Sequence, residues 1–116
     1  MVEQVKLATL ALDGWELDDA ELIAQKYPAT FWLPPQARRK SLRPGHTVKL
    51  IFRIRTVDES MGEEINVERM WVTTERVDAG FYFGKLDNNP LCTSELAAGL
   101  DVAFQARHVI GIWEDD

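Results

Sequence analysis

Residues 48–55 alternate between an apolar series and a more polar one with a period of two, and this pattern limits the fold more than any other. Every second residue is apolar: Val48, Leu50, Phe52 and Ile54. Such a period predicts a β-strand with one face in a hydrophobic core. The polar stretch 58–64 contains a glycine and predicts the loop of a β-hairpin.

The second half of the chain predicts further short strands. We expect them over residues 65–77, 81–86, 101–104 and 109–113, with turns at Asp78–Gly80 and Asp87–Pro90. Strands that follow one another through short turns pair antiparallel, and a few short strands bury one face best in a curled sheet. We therefore predict an α+β fold: a small, strongly bent antiparallel sheet of four to five strands, of the SH3-like half-barrel type, with an N-terminal helix packed on it.

One short helix is predicted near the N-terminus. Asp18 has the position of an N-cap and Glu21 that of its capping-box partner, while Pro28 ends the helix. Leu22 and Ile23 are its expected apolar contacts with the sheet.

Three further segments of the N-terminal half carry weaker signals. Residues 2–12 are apolar without a clear period and suggest a strand. Residues 31–35 should be extended because they end in two prolines, and Pro35 can open one helical turn through Arg39. Residues 42–45 end in Pro-Gly, which predicts a type II turn.

The length and the cysteine content narrow the class of protein. A chain of 116 residues fits a single domain over 1–116. The apolar run 7–12 is far shorter than the ~20 residues of a membrane span, and the N-terminus lacks the pattern of a secretory signal. Cys92 is the single cysteine, so no intramolecular disulfide can form. We expect a cytoplasmic protein without membrane contact.

Charge is segregated along the chain. The net charge is −6, yet no acidic residue occurs between Leu22 and Val57. An acidic chain disfavours nucleic-acid binding in general, whereas a local basic segment favours an anionic partner. The alternative is that this segment pairs with acidic neighbours across the sheet.

The outer face of the first hairpin has a composition typical of binding sites. If Phe52 pairs with Met70, then Ile51 lies beside Trp71 on the opposite face. Arginines flank this pair on both strands: Arg53 and Arg69. Tryptophan and arginine are enriched at interaction hot spots. The alternative is that the predicted helix covers Ile51 and Trp71 as a second core.

Several segments together resemble one bacterial family. They are Pro28–Pro34, Leu42–Gly45, Val48–Phe52, Glu68–Val72, Gly84–Pro90 and His108–Ile110. In combination they are similar to the family called domain of unknown function 2314, over about residues 14–112. The resemblance implies a small bacterial domain that also occurs fused to other modules. It implies no known activity, so no catalytic residue follows from it.

No group of residues predicts catalysis or metal binding. His46, His108 and Cys92 are far apart and lack ligand spacing, and phosphate-loop and dinucleotide motifs are absent from the sequence. We therefore predict no catalytic residue, no metal ligand and no cofactor.

The function predicted from the sequence is a non-catalytic bacterial interaction module that binds a protein partner, as an adaptor or immunity-like protein, and is a monomer or weak homodimer. The candidate partner-binding residues are Arg38, Arg39, Lys49, Arg53, Arg55, Arg69 and Trp71. One alternative is a small nucleic-acid-binding barrel that uses the basic segment Arg38 to Arg55, although the net charge disfavours it. A further alternative is an enzyme acting on anionic small molecules.

Overall fold

A computed structural model of the chain describes residues 5–114, which form six strands, three short α-helices and one 3₁₀ turn. The strands are β1 Trp15–Leu17, β2 Thr47–Asp58, β3 Gly62–Asp78, β4 Phe81–Leu86, β5 Asp101–Phe104 and β6 Val109–Ile112. The helices are α1 Leu10–Asp13, α2 Ala20–Lys26 and α3 Gln36–Arg39, and the 3₁₀ turn is Ala106–His108.

The strands form one curled antiparallel sheet. Five of them follow the order β1-β2-β3-β4-β5, and β6 pairs with β2. Because β1 uses residues 52–54 of β2 and β6 uses residues 48–50, β1 and β6 follow one another along the same edge of β2. The α+β half-barrel with a small N-terminal helix is therefore confirmed.

The core lies on the side of the sheet predicted by the alternation in β2. Fully buried apolar side chains come from five strands: Val48, Leu50, Phe52, Ile54, Val72, Leu86, Val102, Phe104 and Val109. Two aromatic pairs complete it, Trp15 with Phe52 and Tyr82 with Phe104, at ring centroid distances of 5.4 and 5.2 Å. Burial of this apolar surface is the main favourable term in folding.

The predicted pairing of the first hairpin is wrong by two residues. Leu50 pairs with Met70, and Lys49 pairs with Trp71. The connection between the strands is shorter than predicted, because the Asp58 carboxylate accepts the amides of Ser60 and Met61 and closes a tight turn. A shift of two residues keeps every side chain on its predicted face.

The helix begins one residue later than predicted. Asp19, rather than Asp18, is the N-cap, and its carboxylate accepts the Leu22 amide at 3.1 Å. The preceding residues belong to β1, which the sequence did not indicate. Ala20 is the buried residue of α2, whereas Leu22 is exposed and does not anchor the helix.

Of the remaining segments, two turns and two strands are as predicted, and one predicted strand is wrong. The turn at Ala79 and Gly80 and the bounds of β4 and β5 are as predicted. A turn at Pro44 and Gly45 is closed by the His46 amide, which donates to the Arg43 carbonyl at 3.0 Å. The predicted strand over residues 2–12 is wrong where it can be compared, since α1 begins at Leu10; residues 2–4 lie outside the described residues.

Gly84 permits a close approach between β3 and β4. The two strands shift register at a bulge between Thr74 and Arg76, and Gly84 lies opposite it. A Cβ at Gly84 would overlap the Thr73 carbonyl oxygen and lie 2.9 Å from its carbonyl carbon. Backbone atoms cannot move aside without disturbing the sheet.

We predict that Gly84→Ala lowers the free energy of unfolding by about 1–3 kcal/mol, because the strands must separate locally. Gly111→Ala is the matched control, since a Cβ there would meet Lys49 Cβ at an ordinary 3.5 Å. Urea titrations of both variants measure the difference. Equal stability of the two variants would contradict the close approach.

Candidate interaction surface

The outer face of the β2–β3 pair, opposite the core, carries most of the candidate residues. Lys49 lies beside Trp71, Ile51 beside Arg69, Arg53 beside Val67, and Arg55 beside Ile65. Basic and apolar side chains therefore alternate across the two strands. This alternation follows from the period of two in both strands and from the observed pairing.

Two tryptophans meet at the end of this face next to β6. Trp71 and Trp113 pack edge to face, with ring centroids 5.5 Å apart, and the Lys49 ammonium lies 5.0 Å from the Trp71 ring. The Trp113 amide donates to the Thr47 carbonyl at 2.8 Å, which fixes this residue beside β2. We call Lys49, Arg69, Trp71 and Trp113 the tryptophan surface.

The surroundings of Trp71 differ from both predictions: Lys49 rather than Ile51 is its partner across the strands, and the predicted helix does not cover it. Leu22 of α2 is exposed, and Trp71 itself is half-buried. The segment after α2 reaches this face instead, because the Phe31 ring lies 5.9 Å from the Arg69 guanidinium. Ile51, which pairs with Arg69, is buried. The helix therefore leaves the Trp71 end of the face accessible.

Trp113 is the residue that sequence reasoning missed. Its side chain is 61% exposed although it packs on Trp71. The sequence placed it at the end of the last strand, but it gave no sign that this strand pairs with β2. Pairing of two strands that are not neighbours in the sequence leaves no local signal.

Arg53 and Arg55 lie farther along the same face. The Arg53 guanidinium is 3.8 Å from Asp18 and 4.0 Å from Glu16, so acidic residues outside the basic segment partly balance it. Burial raises the pKa of Asp18, and the charge of Arg53 opposes this rise. Arg55 is exposed, and it has no carboxylate within ion-pair distance among residues 5–114.

Arg38 and Arg39 are neighbours in the sequence with opposite environments. Arg38 forms an exposed ion pair with Glu114, beside Trp113 in a shallow cavity of about 470 Å³. Arg39 is only 6% exposed and points inward. Its position inside the protein separates it from the candidate surface.

The Arg39 guanidinium joins three segments. Its Nη1 donates to the Glu21 carboxylate at 2.6 Å and to the Ala106 carbonyl at 3.1 Å, and its Nε donates to the Pro34 carbonyl at 2.8 Å. The Arg39 carbonyl accepts the buried Tyr82 hydroxyl at 2.8 Å. Hydrogen bonds donated by a charged guanidinium are about twice as strong as those between neutral groups.

Cys92 has the environment of an unreactive thiol. Burial and the neighbouring Glu68 carboxylate raise the pKa of Cys92 to about 11. Burial alone would also raise the pKa of Glu68, but hydrogen bonds from the thiol and from the amides of Leu91 and Cys92 lower it. The thiolate, which is the nucleophile, is therefore scarce at neutral pH.

The two histidines make local hydrogen bonds. His46 Nδ1 accepts the Arg43 amide and His108 Nδ1 accepts the Gln105 amide, each at 2.9 Å. Within the described range, no three His, Cys, Asp or Glu residues lie together as a metal-binding group. No helix in that range is long and apolar enough to cross a membrane.

A cavity of about 740 Å³ opens between the N-terminal segment and the β4–β5 edge. Its walls include the apolar side chains of Trp15, Phe83 and Val102. Basic and acidic side chains also line it: Lys6, Arg76, Asp13, Glu75 and Asp101. None of the seven residues predicted to bind a partner lines this cavity.

The fold and the surface define a small α+β half-barrel domain with an aromatic and basic outer face. A family model matches residues 15–113, and the chain belongs to that family, which is described as "Uncharacterized protein conserved in bacteria (DUF2314)". The resemblance inferred from the sequence is thereby confirmed. Neither the curated proteins nor the solved structures contain a significant match to this chain.

His108 makes stability depend on pH. It is buried beside α2, and its pKa is lowered to about 4 by burial and the charge of Arg107, against the opposing effect of Asp19 and Glu21. An unfolded chain holds the same imidazole with a pKa of about 6.5. Between these two values the unfolded chain binds more protons, so acid favours unfolding.

We predict that His108 does not lower the free energy of unfolding above about pH 6.5. As the pH falls from there to about 4, its buried neutral imidazole lowers this free energy by up to about 3 kcal/mol. His108→Asn keeps an acceptor for the Gln105 amide but cannot be protonated. Urea titrations across this pH range should therefore give a shallower decline for the variant. An identical decline in both proteins would show that the imidazole is not buried in its neutral form.

Proposed function

We propose that this protein is a non-catalytic interaction module that binds a protein partner through the tryptophan surface. The observation that carries the proposal is the exposed Trp113 ring packed against Trp71, with the Lys49 ammonium over that ring. Aromatic side chains provide a large contact area with few rotatable bonds, and they dominate measured hot spots. The adaptor or immunity-like role and a cytoplasmic location belong to the same proposal.

The charges around the tryptophan surface favour a partner segment that carries carboxylates beside an apolar anchor. Lys49 and Arg69 belong to this surface, and Arg38 with Glu114 lies at its border. The rim of a protein interface is polar and steers association, while the central aromatic residues supply affinity. Here the apolar anchor would contact Trp113 and the carboxylates would face Lys49 and Arg69.

The internal pairing of the arginines makes a nucleic acid the weaker candidate. Arg39 is buried in its ion pair, Arg38 pairs with Glu114, and Arg53 lies close to two carboxylates. A nucleic-acid site needs free cations along a phosphate path. The basic segment therefore supplies fewer free charges than its composition suggests.

The test compares Trp113→Ser with Leu91→Ser, which removes an exposed apolar side chain elsewhere. Partners are crosslinked to the protein in its host cells and identified, and the affinity for the purified partner is then measured by calorimetry at two ionic strengths. Loss of a hot spot is worth about 2 kcal/mol or more, so Trp113→Ser should weaken binding roughly 30-fold. Leu91→Ser should bind as the wild type does.

Lys49→Gln should weaken the same complex and reduce its dependence on salt, because a steering charge has been removed. Equal affinity of all variants would contradict the tryptophan surface as the binding site. Tight, salt-dependent binding of labelled single-stranded RNA or DNA that Trp113→Ser abolishes would replace the protein partner by a nucleic acid.

A further inference from the structure

The far end of the β2–β3 hairpin extends beyond the rest of the sheet. β1 pairs with β2 only as far as Ile54, and β4 pairs with β3 only from Val72 onward. Residues 55–67, which we call the arm, have no strand beyond β3. Past the pair Ile54–Asn66 the arm is a ribbon of two strands with no third strand beside it in the described chain, although the Arg55 amide still donates to the Gly14 carbonyl at 2.9 Å. Two strands alone are marginally stable in water, so an ordered arm gains from a further contact.

The arm is amphipathic, and its apolar side faces solvent. Val57, Ile65 and Val67 all lie on the outer face and are exposed, Val57 at 76% and Val67 at 59%. The opposite face is polar, and there Asn66 donates a hydrogen bond to the Thr56 hydroxyl at 2.9 Å. The exposed aliphatic side chains mark an interaction surface distinct from the tryptophan surface.

The charges along the arm change sign between its two ends. The tip is acidic, with Glu59 and Glu63, while the base carries Arg53 and Arg55. Arg55 and Glu63 form no ion pair within residues 5–114. A face with an acidic end, a basic end and apolar side chains between them is complementary to itself when one copy is turned end for end.

We propose that the arm binds the arm of a second copy of this chain. The two outer faces pack in opposite directions about a two-fold axis, which brings Arg55 of each copy within reach of Glu63 of the other. Val57 and Ile65 form the apolar centre of this contact, and Val67 extends it toward the base of the arm. The proposal concerns a different surface from the proposed function and does not depend on it.

The size of the arm sets the strength of this association. From the pair Arg53–Val67 to the pair Val57–Glu63, the outer face is about 14 Å long at ~3.4 Å per residue. A face of that length buries less than the ~800 Å² per partner of a stable interface. The result is a weak dimer whose population rises with protein concentration and falls with salt.

The test measures self-association by sedimentation equilibrium over a series of protein concentrations. Arg55→Glu and Glu63→Lys should each weaken the dimer at least about tenfold, because each places like charges together twice. A mixture of the two single variants should recover dimerisation, since every cross-copy contact is then between opposite charges. Glu64→Lys makes the same charge change on the polar face of the arm and should leave the dimer intact.

Val67→Thr supplies a second, uncharged test. Threonine keeps the shape and the strand preference of valine but removes apolar surface from the contact. It should weaken the dimer while far-UV circular dichroism stays unchanged. Wild-type protein that remains monomeric at every concentration, a mixture that fails to dimerise, or a Glu64→Lys effect equal to that of Glu63→Lys would overturn the proposal.

Discussion

The buried guanidinium of Arg39 connects the helical segment of the chain to the half-barrel. It donates to Glu21 of α2, to the Pro34 carbonyl before α3 and to the Ala106 carbonyl after β5. A buried cation is costly unless it is paired and hydrogen-bonded, and removing one partner of a buried ion pair costs far more than removing one of an exposed pair. The path of the chain between β1 and β2 therefore depends on this one side chain.

A second ion pair, between Arg107 and Asp19, stabilises the same region. Arg107 Nη1 donates to Asp19, the N-cap of α2, at 3.1 Å, so the beginning of the helix is fixed against the same 3₁₀ turn. With α2 held there, the extended segment that follows reaches the outer face, where Phe31 lies beside Arg69. The helix itself packs away from Trp71, which leaves the tryptophan surface open.

Much of this fold could be predicted from the sequence, for physical reasons that are local. The period of two in residues 48–55 determined which side chains are buried, and turn residues such as Gly80 determined where strands end. The pairing of β2 with β3 could not be fixed in the same way. The period of two alone determines which face of the sheet a side chain lies on, whereas the register of the pair depends on the length of the turn. The Asp58 carboxylate closes this turn with fewer residues than the sequence predicted.

The candidate surface was predicted in part. Lys49, Arg69 and Trp71 could be placed on one face because they occupy alternate positions in two strands. Trp113 and the buried Arg39 could not, because their contacts are made with residues distant in the sequence. Arg39 reaches Glu21 and Ala106, which are 18 and 67 positions away, and nothing in the run Arg38–Lys40 distinguishes it from its neighbours.

Hydrogen exchange followed by mass spectrometry tests most directly whether Arg39 holds the helical segment on the sheet. Lysine keeps the charge, but its single nitrogen cannot occupy both the Nε and the Nη1 position from which the guanidinium donates. In Arg39→Lys, the amides of α2 and residues 28–39 should exchange at least about tenfold faster, while those of β2 and β3 stay protected as in the wild type. Arg38→Lys, which alters only an exposed pair, should exchange like the wild type. Unchanged exchange in the helical segment of Arg39→Lys, or a uniform increase over the whole sheet, would contradict this role of Arg39.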